Sequence, residues 1–113
     1  MGEQVFVHGP IRIACQDRNE GVVIRVFVRD GIQALKFDCF RQGAHYHVDP
    51  DGRNDVYPIH EANPLKWASD TIRERLGQLL AVAGHEDAAA DLDRQGVSEQ
   101  VEGFLDALCG GRR

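Results

Sequence analysis

Two histidines separated by a single residue, His45 and His47, are the side chains of this sequence best suited to chemistry. Aspartates surround them at positions 38, 49, 51 and 55. Residues two apart on a β-strand point to the same side. Imidazole nitrogens and carboxylate oxygens are the usual protein ligands of divalent transition metals. The stretch therefore indicates a candidate metal site, whose members depend on how its strands are aligned.

The neighbouring strands fix the faces of the predicted sheet. Residues 22–29 and 32–40 are rich in β-branched and aromatic side chains, and Asp30-Gly31 between them favours a two-residue hairpin turn. That turn predicts pairs between positions 24 and 37, 26 and 35, and 22 and 39, all apolar and all on one face. The opposite face then carries Arg25 opposite Lys36. A slip of one residue would turn the apolar set outward, which supports this assignment of faces.

The following two turns decide which groups meet His47. A two-residue loop at Gln42-Gly43 pairs Asp38 with His47, whereas a three-residue loop would break the match of faces. A three-residue loop over Pro50-Asp51-Gly52, with proline and glycine in favourable turn positions, pairs His47 with Asp55. The predicted metal ligands are therefore His45, His47, Asp38 and Asp55. The same face is predicted to contact a small anionic or protein ligand through five further residues, Arg25, Lys36, Asp49, Arg53 and Tyr57.

A plainer interpretation explains the same residues. Antiparallel sheets often carry a polar outer face, on which cross-strand pairs contribute only a few tenths of a kcal/mol. The sequence has no complete nucleophile, nucleotide-binding or calcium-loop motif. The leading hypothesis is an unassigned small binding or interaction module without catalytic activity and without a cofactor. The alternative is a metal-dependent enzyme or metal-binding protein that uses the His-x-His and carboxylate site.

As a string, His45-x-His47-x-Asp49 resembles the first part of the H-x-H-x-D-H motif of metallo-β-lactamase-fold hydrolases. Pro50 stands where the last histidine of that motif belongs. The chain is also much too short for that fold. The resemblance therefore implies neither the fold nor its activity for this chain.

Length and composition limit the number of domains, the kinds of partner and the location that this chain can have. With 113 residues, the chain is expected to form a single domain over 1–113, with a sheet at about 3–60 and a helical part at about 63–109. The net charge of −5 and the lack of a basic run argue against nucleic-acid and anionic-membrane partners. No apolar run approaches the roughly 20 residues of a membrane span. Three widely spaced cysteines indicate reduced thiols and a cytoplasmic location, and the arginine and alanine content favours a bacterial source.

A long helix is predicted after the strands. Asn63 is a good N-cap, Pro64 suits the first helical position, and Gly84 suits the end. A capping box at Thr71 and Glu74 would start the helix later. A short helix is expected over 86–93 and another from Ser98. The predicted fold is α+β, an antiparallel meander of five to six strands with one long helix on its apolar face and one or two short C-terminal helices. The short apolar first strand predicts a homodimer through edge pairing or through the last helix.

Overall fold

A computed structural model describes residues 3–8, 11–95 and 103 of the chain. The six strands are β1 (Glu3–His8), β2 (Ile11–Arg18), β3 (Gly21–Phe27), β4 (Gln33–Phe40), β5 (His45–Val48) and β6 (Asp55–Pro58). Two helices follow, α1 (Pro64–Val82) and α2 (Glu86–Gln95). The helix predicted from Ser98 lies outside the described residues, apart from Gly103.

The strands form one antiparallel sheet in the order of the sequence, β1-β2-β3-β4-β5-β6. Helix α1 packs on one face, which is called the core face here, and the opposite face is called the outer face. Apolar side chains of β2, β3, β4 and α1 are fully buried together on the core face, among them Ile13, Ile24, Phe37, Ile72 and Leu80. The predicted α+β meander with a long helix is confirmed.

The β3–β4 pairing follows the apolar pattern, but the turn was predicted wrongly. Val22 pairs with Cys39, Ile24 with Phe37 and Val26 with Leu35, as expected. Asp30-Gly31 does not form a two-residue hairpin. A single 3₁₀ turn spans Arg29–Gly31, and a bulge after Val26 places Phe27 opposite Gln33 instead of Ala34. The buried apolar face therefore determined this register more strongly than the turn residues did.

The next two registers also differ from the prediction. Residues 41–44 form a longer loop than the predicted two-residue turn, so that Asp38 pairs with His45 and Lys36 with His47. This shift of two residues leaves every side chain on its expected face. Strand β6 is shifted by one residue, which reverses its faces. Tyr57 consequently pairs with Tyr46 on the core face, and Val56 pairs with His47 on the outer face.

An aromatic cluster holds β5 and β6 against α1. The Tyr46 ring stacks at 5.6 Å from Phe37 and lies 5.3 Å from both Tyr57 and Trp67. Burial raises the pKa of the Tyr46 hydroxyl above its ordinary value of 10.0, and Tyr57 acts in the same direction. Contacts of this kind contribute about 0.5–1.5 kcal/mol per pair beyond burial alone. They explain why tyrosine, and not valine, takes the inward position on β6.

The long helix begins and ends where the sequence predicted. The Asn63 side chain accepts a hydrogen bond from the backbone of Lys66 at 3.1 Å, and Pro64 is the first helical residue. Gly84 takes a positive φ of 93° after the last turn. Because the helix begins at Pro64, the later start at Thr71 is excluded. Ala68, Ile72, Leu76 and Leu80 are buried against the sheet.

Candidate metal centre

Asp38 is a buried acid on the outer face of the sheet. Its residue is 3% exposed, and its neighbours in the register are Val23 on β3 and His45 on β5. Val23 is itself fully buried, so the carboxylate lies on an apolar floor. A carboxylate in such surroundings needs charged or hydrogen-bonding partners to remain ionised.

Both histidines point their Nε2 atoms at the same oxygen of Asp38. The distance from Asp38 Oδ2 is 3.0 Å to His45 Nε2 and 3.1 Å to His47 Nε2. The two rings meet edge to face, with centroids 5.0 Å apart. One ligand atom from each of the three residues lies within 4.8 Å of the other two. Within the described part of the chain, no other group of three histidine, cysteine or acidic residues converges in this way.

A backbone carbonyl sets the tautomer of His45. Nδ1 of His45 lies 2.8 Å from the carbonyl oxygen of Gly43. Because a carbonyl oxygen can only accept, Nδ1 is the nitrogen that carries the proton. In a neutral imidazole the other nitrogen, Nε2, then holds a lone pair. That lone pair is directed at Asp38.

Asn54 holds His47 in the same way. Nδ1 of His47 donates to Oδ1 of Asn54 at 2.8 Å. Asn54 takes a positive φ of 54°, which asparagine tolerates better than most residues. Its backbone amide donates to the carbonyl of Asp49 at 2.7 Å, which fixes the end of the loop. The Nε2 atom of His47 is therefore also directed at Asp38, and it carries a lone pair when the ring is neutral.

The loop that carries Asn54 is tied to the sheet at several points. Asp49 has a φ of 58°, and its amide donates to the carbonyl of Ala34 at 2.8 Å. The Asp49 carboxylate accepts from the Arg53 amide at 3.0 Å. Asp51 accepts from the amide of Gln33 at 2.9 Å. These bonds hold the 49–54 loop against β4 and so keep Asn54 beside His47.

Two imidazole lone pairs and one carboxylate oxygen thus converge on one point. When both rings are neutral and the carboxylate is ionised, all three atoms are hydrogen-bond acceptors, and none of them carries a proton to donate. A proton on a ring nitrogen or a cation at that point resolves the conflict, and acceptors that orient histidines in this way are also found at metal sites. Ligand atoms in a tetrahedral zinc site with bonds of about 2.1 Å lie about 3.4 Å apart. The two nitrogen–oxygen distances, 3.0 and 3.1 Å, are shorter than that value and lie within the range of hydrogen bonds.

The remaining residues of the predicted site fall into two groups. Lys36 and Arg25 lie on the outer face beside the three converging residues, and Lys36 Nζ is 3.7 Å from Asp38 Oδ1. The others lie elsewhere. Asp55 pairs with Val48 and contacts Arg53 at 3.4 Å, so it is not part of the group formed by Asp38, His45 and His47.

Three further predicted positions have local structural contacts. Asp49 shapes its loop, and Tyr57 stacks on Tyr46 at the core face. Arg53 donates to the carbonyl of Val82 at the end of α1, at 2.7 Å. Asn54 was not predicted at all, although an asparagine next to a Pro-Asp-Gly turn is a recognisable signal of a left-handed residue.

Comparison with known families gives one match. The family model described as a domain of unknown function, DUF7700, matches residues 5–107, which is most of the chain. The chain belongs to this family. No curated protein and no solved structure matches the DUF7700 chain. Neither helix within the described residues of this DUF7700 domain is long and apolar enough to cross a bilayer.

Proposed function

We propose that the domain is a small non-catalytic binding module whose ligand is a divalent transition-metal ion of the zinc class. Asp38, His45 and His47 are the protein ligands. The observation that carries the proposal is the pair of Nδ1 hydrogen bonds, to Gly43 and Asn54, which turn both Nε2 atoms towards one oxygen of Asp38. Two nitrogen ligands and one carboxylate suit zinc, iron(II) and related ions better than magnesium or calcium.

The competing explanation is a purely electrostatic cluster in which both rings are protonated. It would place two imidazolium groups and the Lys36 ammonium around one carboxylate, leaving a net positive charge in a half-buried place. The metal-bound site with neutral rings carries the same net charge of about two positive units, so the two explanations differ in metal content and not in net charge. Metal binding removes the two ring protons and supplies one compact charge instead.

The metal content of the purified protein is the direct test of this proposal. Protein purified without an affinity tag and dialysed against zinc is expected to retain about one equivalent by elemental analysis. The His45→Ala/His47→Ala double variant is expected to retain none. His60→Ala is the matched control, because His60 is exposed and lies outside the group, and it should bind like the wild type. A wild-type protein that retains no stoichiometric zinc, iron or manganese would overturn the proposal.

We also propose that the domain forms a homodimer through β1, in a bacterial cytoplasm. The supporting observations are that β1 is an edge strand and that Val5 and Val7 on it are 47% and 65% exposed. An unpaired edge with exposed apolar residues favours strand pairing between copies. Cys15 and Cys39 are buried thiols, which suits a reducing compartment. Light scattering at micromolar concentration should give twice the chain mass, and a monomeric mass would contradict the dimer.

A further inference from the structure

The described outer face of β2 to β6 is basic, although the chain as a whole is acidic. The net charge of the sequence is −5. On the outer face of β2 to β6, as far as its side chains are described, Asp38 is the one carboxylate. The cations of the same face, read from the strand pairing, are Arg12, Arg18, Arg25 and Lys36. Charge is therefore segregated, and this face attracts anions.

Lys36 is the cation closest to the candidate metal site. It pairs directly with His47 on one side and with Arg25 on the other. Its ammonium is 3.7 Å from Asp38 Oδ1, the oxygen that does not face the histidines. The Lys36 side chain is 27% exposed, so its ammonium is accessible to a ligand from solvent. Arg25 has no carboxylate partner among the ion pairs of the described residues.

Within the described residues, three protein ligands converge, and three ligands leave coordination positions unfilled. Structural zinc sites use four protein ligands, whereas sites with three hold a water or another small ligand in the fourth position. His45 is the more exposed of the two histidine side chains, at 31%. The open position is thus expected on the solvent side, within reach of Lys36.

We infer that the bound metal takes a small oxyanion, a carboxylate or a phosphate group, as its exchangeable ligand, and that Lys36 holds the other oxygen of that anion. This inference rests on the metal-binding function proposed above. A divalent ion, one carboxylate and the Lys36 ammonium leave the site with an excess of two positive charges, which an anionic ligand reduces. Arg25, next along the row, adds to the attraction at longer range.

Cobalt(II) in place of zinc makes the inference measurable, because its visible absorption spectrum changes when its ligands change. The cobalt-loaded protein is titrated separately with acetate and with inorganic phosphate. A saturable spectral change with either anion is expected, and the two arms distinguish a carboxylate ligand from a phosphate ligand. Lys36→Met should bind cobalt at least as tightly as the wild type and should need at least tenfold more anion for the same change.

Lys66→Met is the control, since Lys66 is the other lysine of the chain and pairs with Asp70 on α1 at 2.7 Å. It should respond to anion as the wild type does. Cobalt binding without a response to either anion would overturn this inference and leave the metal site intact. An unchanged anion response in Lys36→Met would also overturn it. Failure to bind cobalt at all would overturn both proposals.

Discussion

The two faces of the β4–β5 hairpin carry side chains of opposite character at adjacent positions. Phe37 on the core face is fully buried among aromatic rings, and its neighbour Asp38 on the outer face is buried among histidines. The same alternation on β5 separates Tyr46 from His45 and His47. The side chains of the core face are apolar or aromatic and need only to fit together in shape. On the outer face, two imidazole groups and one carboxylate lie around one point. The difference suggests that one face stabilises the fold and the other binds a ligand.

The largest expected effect lies on the core face. Phe37→Ala removes a fully buried ring and should lower the free energy of unfolding by about 3–5 kcal/mol, measured by urea denaturation. Phe40→Ala on the outer face of the same strand is the matched control. Phe40 is only half-buried and meets His45 edge-on at 5.9 Å, so its loss should be well under half as large. Equal losses for the two variants would contradict the division of roles between the faces.

An intermediate effect is expected for Asn54, which touches the proposed site only through His47. Asn54→Ala removes the acceptor of the His47 Nδ1 proton and should weaken zinc binding about 10–100-fold, as loss of a residue that orients a metal ligand usually does. Calorimetric titration with zinc provides the measurement. Asn54→Asp keeps an acceptor at the same place and should restore most of the affinity. If Asn54→Ala binds zinc like the wild type, His47 is not oriented by this hydrogen bond.

The smallest change in the free energy of unfolding is expected for Asp38→Asn, and the sign of this change distinguishes the two explanations of the site. In metal-free protein at pH 8, where an ordinary imidazole is neutral, the new amide can donate to the Nε2 lone pairs. The variant should then be about 0.5–1.5 kcal/mol more stable than the wild type in chelator, while losing zinc binding. A loss of about 1.5–3 kcal/mol would instead indicate charged hydrogen bonds from protonated histidines, and would favour the electrostatic cluster.

Sequence patterns could predict which face each residue of β3, β4 and β5 occupies, because alternating burial repeats every two residues. They could not predict the pairing of β4 with β5. A shift of two residues leaves all faces unchanged, so nothing in the apolar pattern reports it. His45 lies opposite Asp38, two positions along β4 from where the predicted two-residue loop would put it. Asp38 still lies beside a histidine, as predicted, because both His45 and His47 are on the outer face.

The pairing of β6 failed for a different reason. Two residues of left-handed conformation, Asp49 and Asn54, lengthen the loop, and the predicted three-residue turn contained neither. The resulting shift exchanged Asp55 for Asn54 as the neighbour of His47. Val56 and Tyr57 are both largely exposed, at 51% and 44%, but Tyr57 is the one that pairs with Tyr46 on the core face. The competition between a valine and a tyrosine for the aromatic cluster is a packing effect, which spacing alone does not encode.

The most direct measurement of the central claim is the chemical shift of the histidine ring nitrogens by long-range nitrogen–proton NMR, with and without zinc. The chain has five histidines. One equivalent of zinc should shift the Nε2 signals of two of them, His45 and His47, to values typical of metal-bound nitrogen, with the proton retained on Nδ1. Substitution of either histidine should remove its own signal from the shifted pair. Ring-nitrogen signals that stay unchanged for all five histidines after zinc addition would contradict the account.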